Sequence, residues 1–117
     1  MEFFDRNGAA AVYAPDGEHL YAWDGRPVGY ISDGRVYSYR GKLLGWMDNG
    51  WLYDRNNQPA LFSAESTGGP VRPVRRVKPV KGVRGVRPVK SVREVAPVRN
   101  VRSLNWSGRA DLSFFDV

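Results

Sequence analysis

The chain has 117 residues, enough for one domain with an appendage. It contains no cysteine, which excludes disulfides and thiolate catalysis. The net charge of +6 is unevenly distributed, because residues 71–104 carry eleven basic side chains and one acidic side chain, whereas residues 1–70 carry six and nine. The basic character therefore belongs to one segment.

The first residues of the chain give an expectation about its location. Residues 1–5 contain neither a basic region nor an apolar run, unlike a signal peptide. No apolar run approaches the length needed to cross a membrane. We therefore expect a cytoplasmic protein without a transmembrane segment.

Residues 3–62 repeat a 16-residue pattern. The clearest copies are 21–36 and 37–52, with a looser first copy and a truncated fourth. Each copy has two short runs of aromatic and aliphatic residues, and most of these runs are separated by Asn-Gly or Asp-Gly pairs. Such pairs supply the positive φ of tight hairpin turns. The pattern predicts an all-β fold of short hairpin repeats.

Aromatic side chains recur at matching positions of the repeats. The first interpretation is structural, because hairpin units of this size must pack together to bury their aromatic groups. The alternative is an aromatic platform that stacks a sugar or a base. The residues proposed for this platform are Trp23, Tyr39, Trp46 and Trp51.

Residues 71–104 are written in triplets. Valine occupies every third position from Val71 to Val101, a basic residue follows each valine except Val95, and the third position is mostly Pro, Gly, Ser or Asn. A period of three fits polyproline II and fits neither a strand nor an α-helix. The prolines would also break an α-helix. The sequence predicts an extended, polyproline-II-like segment.

The length of this segment limits its path. At ~3.1 Å per residue it would reach ~105 Å, about three times the diameter of a body of this size. We expect it to fold back at Gly82 and Gly85, with its valines facing the body and its Lys and Arg side chains facing outward. Bridging to a neighbouring subunit is the alternative.

The C-terminal residues carry a large apolar load. Trp106, Leu112, Phe114 and Phe115 are expected to dock on the body, because free termini are usually polar. The sequence thus divides into a hairpin-repeat body (1–63), a linker (64–70), the triplet segment (71–104) and an apolar anchor (105–117).

Several of these blocks resemble the bacterial 4-fold beta flower domain family. The resemblance lies in Asp-Gly-Arg-Pro-Val-Gly-Tyr-Ile at 24–31, Leu-Gly-Trp-Met-Asp-Asn-Gly-Trp at 44–51, Gly-Gly-Pro-Val-Arg-Pro-Val at 68–74, the triplets that follow, and Leu-Asn-Trp-Ser at 104–107. It implies four β-hairpin petals in a four-fold or pseudo-four-fold arrangement. The predicted basic segment would pack back on this body or on a neighbour. The resemblance implies no activity.

The sequence offers little for catalysis. The lone His19 lies in a predicted turn and is expected to be exposed, and no His, Asp and Glu cluster has the spacing of metal ligands. We therefore expect no enzyme activity, no metal and no cofactor. The predicted function is binding or assembly, with this protein itself or another protein as partner.

The alternative function is non-specific binding of nucleic acid or another anionic surface through the triplet segment. The residues that would contact the anion follow the valines of the triplets. They are Arg72, Arg75, Lys78, Lys81, Arg84, Arg87, Lys90, Arg93, Arg99 and Arg102.

Overall fold

A computed structural model describes residues 1–116 and shows eight antiparallel strands that close into a barrel in sequence order. The strands are β1 Glu2–Phe4, β2 Ala10–Tyr13, β3 His19–Ala22, β4 Pro27–Ser32, β5 Arg35–Tyr37, β6 Leu43–Asp48, β7 Trp51–Asp54 and β8 Pro59–Phe62. A 3₁₀ helix follows at Leu112–Phe115. The predicted all-β hairpin fold is confirmed. Val117, the last residue of the predicted anchor, lies outside the described residues.

Two kinds of turn alternate around the barrel. The tight turns between β4 and β5 and between β6 and β7 have positive φ at Asp33-Gly34 and Asn49-Gly50, as hairpin turns of this kind require. The other kind, which we call inner turns, are residues 5–9, 22–26, 38–42 and 54–58. Each is closed by equivalent backbone hydrogen bonds, and the strand pair that it joins has one register shift. The four inner turns give the barrel its fourfold repetition.

The interior of the barrel is aliphatic because side chains alternate between its two faces. The residues that point inward, such as Val12, Leu20 and Leu52, belong to a single buried cluster. Phe114 and Phe115 of the 3₁₀ helix belong to the same cluster. The C-terminal segment therefore packs into the core of the body.

The outer face of the barrel is aromatic and forms three buried groups, which we call the outer clusters. The first contains Tyr13, Tyr21 and Trp23. The second contains Tyr30, Tyr37, Tyr39, Leu43 and Trp46. The third contains Phe4, Trp51, Tyr53 and Phe62, with Trp106 packed against them.

Residues 71–104, from here on the strap, run once around this aromatic face. Residues 71–103 lie in neither helix nor strand. The N–H groups of Arg76, Gly85, Glu94 and Ser103, nine residues apart, donate to carbonyls of the four inner turns in order. These carbonyls belong to Gly8, Gly25, Gly41 and Asn57. The expected reversal at Gly82 and Gly85 is wrong, because the strap continues to the next turn.

The predicted orientation of the strap is also wrong. All eleven valines are 89–96% exposed. The strap instead turns the backbone of its third positions toward the barrel, and its basic side chains lie along the barrel surface. Gly82 lets the two backbones approach closely, because an added Cβ there would lie 2.2 Å from the carbonyl oxygen of Asp24. The valines consequently form an outward ridge.

Candidate functional site

The surface beneath the strap is the best candidate for a functional site, because it holds an extended chain in the same way at each inner turn. At Gly25 (φ +98°) the strap backbone comes so close that an added Cβ would lie 2.0 Å from the carbonyl oxygen of Val83. Gly8 and Gly41 have the same contact with the carbonyls of Val74 and Val92. Glycine is required at these turns by the strap as well as by the turn conformation.

A second row of hydrogen bonds lies beside the first. The N–H groups of Gly82 and Ser91, also nine residues apart, donate to the carbonyls of Trp23 and Tyr39 at 2.9 Å. The indole Nε1 of Trp23 donates in return to the carbonyl of Pro79 at 2.7 Å. Pro79 has no backbone N–H group, so only its carbonyl requires a hydrogen-bond partner.

Basic side chains of the strap lie over the rings of the outer clusters. The ammonium of Lys81 is 4.5 Å from the ring centre of Tyr13 and that of Lys90 is 4.4 Å from Tyr30. The guanidinium of Arg99 lies 5.4 Å from the ring centres of both Trp46 and Tyr53. The remaining pairs are Lys81 on Trp23, Arg75 on Phe4, Arg84 on Tyr21 and Arg93 on Tyr37. These cation–π contacts stabilise the strap at regular intervals.

Acidic groups of the body add ion pairs at the strap edge. Glu2 accepts hydrogen bonds from Lys81 and Lys78 at 2.8 and 2.9 Å, and the bond from Lys81 lowers the pKa of Glu2 most strongly. Asp48 pairs with Arg99 and Arg102 at 3.3 and 3.4 Å. Glu2 and Asp48 of the body therefore each hold two basic side chains of the strap.

The strap departs from its own pattern at the third inner turn. Glu94, its only acidic residue, accepts hydrogen bonds from the backbone N–H of Leu43 and from Arg55, both at 2.6 Å. The hydrogen bond from Leu43 and then that from Arg55 lower the pKa of Glu94. Nearby, Ala96 replaces a basic residue and packs against the second outer cluster. These two positions distinguish this quarter of the strap from the others.

The fourth inner turn has Asn57 in place of glycine. Asn57 has φ 60° and is buried. Its Nδ2 donates to the carbonyl of Asn100 at 2.6 Å and its Oδ1 accepts from Nε of Arg99 at 2.9 Å. The side chain of Asn57 thus recognises the strap where the repeat lacks glycine.

His19 is not the exposed loop residue expected from the sequence. It begins β3, is only 9% exposed, and its Nδ1 lies 2.6 Å from Asp16 and 2.8 Å from Arg87 of the strap. Partial burial by itself would raise the pKa of Asp16. Hydrogen bonds from the side chain and backbone of His19 and from the backbone of Glu18 outweigh it and lower this pKa. Contrary to the expectation from spacing, Asp16, Glu18 and His19 bring three possible metal ligands within 4.8 Å of one another. The guanidinium of Arg87 already contacts this group.

The predicted aromatic platform is not an open surface. Trp23, Tyr39, Trp46 and Trp51 are all buried, with at most 8% exposure, because they belong to the outer clusters and the chain covers them. Trp51 donates from Nε1 to the carbonyl of Gly68 in the linker. The hydroxyl of Tyr39 has no hydrogen-bond partner among the described residues, and burial raises the pKa of Tyr39 to about 12. The four residues are therefore covered in this structure, and their role as a platform for a sugar or a base stays a prediction.

The ten basic residues predicted to contact an anion are all engaged with the body. The cation–π contacts and ion pairs above involve eight of them. Arg87 contacts His19, and Arg72 donates to the carbonyl of Ala64 at 3.1 Å. Their role toward a nucleic acid stays a prediction, but they do not form a free outward row.

The sequence predicts turns at Asn7-Gly8 and Asp24-Gly25, but the contact of the inner turns with the strap was not predicted. One signal for this contact exists, because Pro70, Pro79, Pro88 and Pro97 recur every nine residues within the triplets. A nine-residue period in the strap beside a 16-residue period in the body indicates one strap unit for each hairpin repeat.

Comparison with known proteins gives a match to a family model. The family model described as 4-fold beta flower protein matches residues 1–115. Neither a curated protein nor a solved structure matches the chain. Within residues 1–116, no helix has the length and apolar character to cross a membrane. The match covers barrel, strap and 3₁₀ helix together, and the chain belongs to the 4-fold beta flower family.

Proposed function

We propose that this protein is a non-enzymatic binding or assembly module whose working surface is the aromatic outer face of the barrel. That surface receives an extended basic chain, and its own strap is the first occupant. The observation that carries the proposal is the backbone contact at Gly8, Gly25 and Gly41, where the turn leaves room for a peptide backbone and for nothing larger.

The chemistry of the surface supports an extended peptide as the ligand. It offers carbonyl acceptors to the peptide N–H groups and aromatic rings to its basic side chains. Proline-rich extended chains suit aromatic grooves because their conformation costs little entropy on binding. The polyproline II conformation of the strap and a cytoplasmic location stay predictions within this proposal.

The test weakens the contact between the strap and one quarter of the surface. In the full chain, Lys81→Gln with Arg84→Gln removes the two cations above Tyr13, Trp23 and Tyr21. The indole N–H resonance of Trp23 should then shift, because the bond from Nε1 to the carbonyl of Pro79 loosens.

A synthetic peptide with the sequence of residues 77–88 should restore this resonance toward its original position. The matched control is the same peptide with glutamine in place of Lys81 and Arg84. Equal effects of the two peptides, or no effect of either, would count against a surface that recognises an extended basic chain.

Non-specific nucleic-acid binding is the second candidate function. One observation favours it: the strap carries eleven basic side chains, and the body's ion pairs to them come from Glu2, Asp16 and Asp48 only, among the described residues. Binding would follow the phosphate backbone and would be strongly salt-dependent. An electrophoretic shift with random-sequence DNA at low salt tests it, and a chain that fails to shift the DNA rules this function out.

A further inference from the structure

The contacts that hold the strap are of a kind that the strap of a second copy could make equally well. Six strap N–H groups bond to the body, and equivalent bonds recur every nine residues. Nothing in this pattern requires that strap and barrel belong to one chain. The connection between them is the linker 64–70, in which Gly68 and Gly69 both have positive φ.

The strap is held without burial of its valines, which remain 89–96% exposed along residues 71–101. The apolar surface buried beneath it belongs to Ala96 and to the aromatic rings of the outer clusters. The strap itself contributes hydrogen bonds, partly exposed ion pairs and cation–π contacts, which are individually weak, and salt screens the ion pairs. Each quarter of the strap can therefore detach separately, as in other repeat structures.

The strap register is set by few residues. A shift by nine residues would place Pro73 or Ser91 where Gly82 now packs, and a Cβ at that place would lie 2.2 Å from the carbonyl oxygen of Asp24. The shift would also separate Glu94 from Arg55 and from the N–H of Leu43, which hold the strap in its present register. The correct register is thus specified by side chains that are identical in every copy of the chain.

We propose that the strap exchanges between two copies of this protein, so that the strap of one chain binds the barrel of the other. This rests on the proposed function, because it names the partner that the same surface receives. Phe114 and Phe115 move with the strap and fill the partner barrel. The exchanged dimer and the closed monomer contain the same contacts between strap and barrel. Only the effective concentration of the tethered strap therefore favours the closed monomer.

Carbodiimide cross-linking of isotope-labelled chains tests the exchange directly. Lys78 and Lys81 lie 2.9 and 2.8 Å from the carboxylate of Glu2, close enough for zero-length amide formation. Equal amounts of ¹⁴N and ¹⁵N full-length chain are mixed, incubated, cross-linked and cleaved after glutamate. The product of interest joins residues 1–18 to residues 66–94.

The expected result is a mixed-isotope product whose share rises with protein concentration toward about one half, the limit for an equal mixture, over the ~mM range of a tethered ligand. Lys42 serves as the control, because a mixed product between Lys42 and Glu2 measures random encounters. Glu2→Gln must abolish the product and so confirms its identity.

Two other results overturn the proposal and separate it from the proposed function. If every Glu2 product is of one isotope at all concentrations, the strap binds only its own barrel and the exchange is refuted while the binding surface stands. If no product between Glu2 and Lys78 or Lys81 forms at all, the strap does not occupy the barrel surface and both proposals fail.

Discussion

Substitution of Gly25 by alanine isolates the contact between barrel and strap. An alanine Cβ would lie 2.0 Å from the carbonyl oxygen and 2.6 Å from the carbonyl carbon of Val83, both backbone atoms. The strap must therefore move away from this inner turn. Gly25 also has φ +98°, so the substitution carries a conformational cost that is independent of the strap.

The structure allows the two costs to be separated. A non-glycine residue at positive φ costs ~1–2 kcal/mol. Displacement of the strap removes the bonds from Gly85 to Gly25, from Gly82 to Trp23 and from Trp23 to Pro79, each worth ~0.5–1.5 kcal/mol net. The released residues regain conformational entropy, which offsets part of this loss. We expect an additional destabilisation of about 1–3 kcal/mol.

Gly17→Ala is the matched control, because Gly17 has φ +77° and an added Cβ there would meet nothing within 4 Å. Urea unfolding of both variants gives the difference in free energy of unfolding. Amide exchange should show faster exchange at Gly82 and Gly85 in Gly25→Ala only. Equal destabilisation by the two substitutions, with unchanged exchange in the strap, would refute a tightly bound strap.

Three further predictions concern the strap and its anchor. The pKa of Glu94 is lowered from 4.5. Its contribution to the free energy of unfolding should therefore be complete above pH 4.5 and be lost as the pH falls through the lowered pKa. In urea unfolding at several pH values, Glu94→Gln should flatten the dependence of stability on pH in this acidic range. Raising salt from ~0.1 to ~1 M, which shortens the Debye length from ~10 to ~3 Å, should accelerate amide exchange at Gly85 while β3 stays protected; equal acceleration in both would contradict separate release. Phe114→Ala should lower the free energy of unfolding by about 3–5 kcal/mol in urea titration, because Phe114 is 2% exposed in the core; a loss below 1 kcal/mol, roughly that of a surface change, would contradict this packing.

Local patterns in the sequence were sufficient to predict the hairpins. The 16-residue repeat and pairs such as Asp33-Gly34 predict short hairpins, because strand alternation and positive φ depend on neighbouring residues only. Closure into a barrel of eight strands and the burial of His19 depend on contacts between distant repeats. For that reason the sequence placed His19 on the surface and missed its contact with Arg87.

The orientation of the strap could not be predicted from the sequence alone. A period of three defines three ridges of side chains, but it does not say which ridge faces the body. The hydrophobic effect favoured the valine ridge, and the prediction therefore placed the valines against the body. The tertiary structure decided otherwise, because Gly8, Gly25 and Gly41 admit a bare backbone and the aromatic outer face attracts cations.

The path of the strap was decided in the same way. A strap of ~105 Å is about three diameters long, and a circle about as wide as the 37 × 36 Å body has a circumference of roughly 115 Å, so the excess length is one turn around the barrel. The sequence by itself determined the hairpin repeats and the length of the strap. Only the folded barrel, with acceptors at all four inner turns, determined that the strap encircles it.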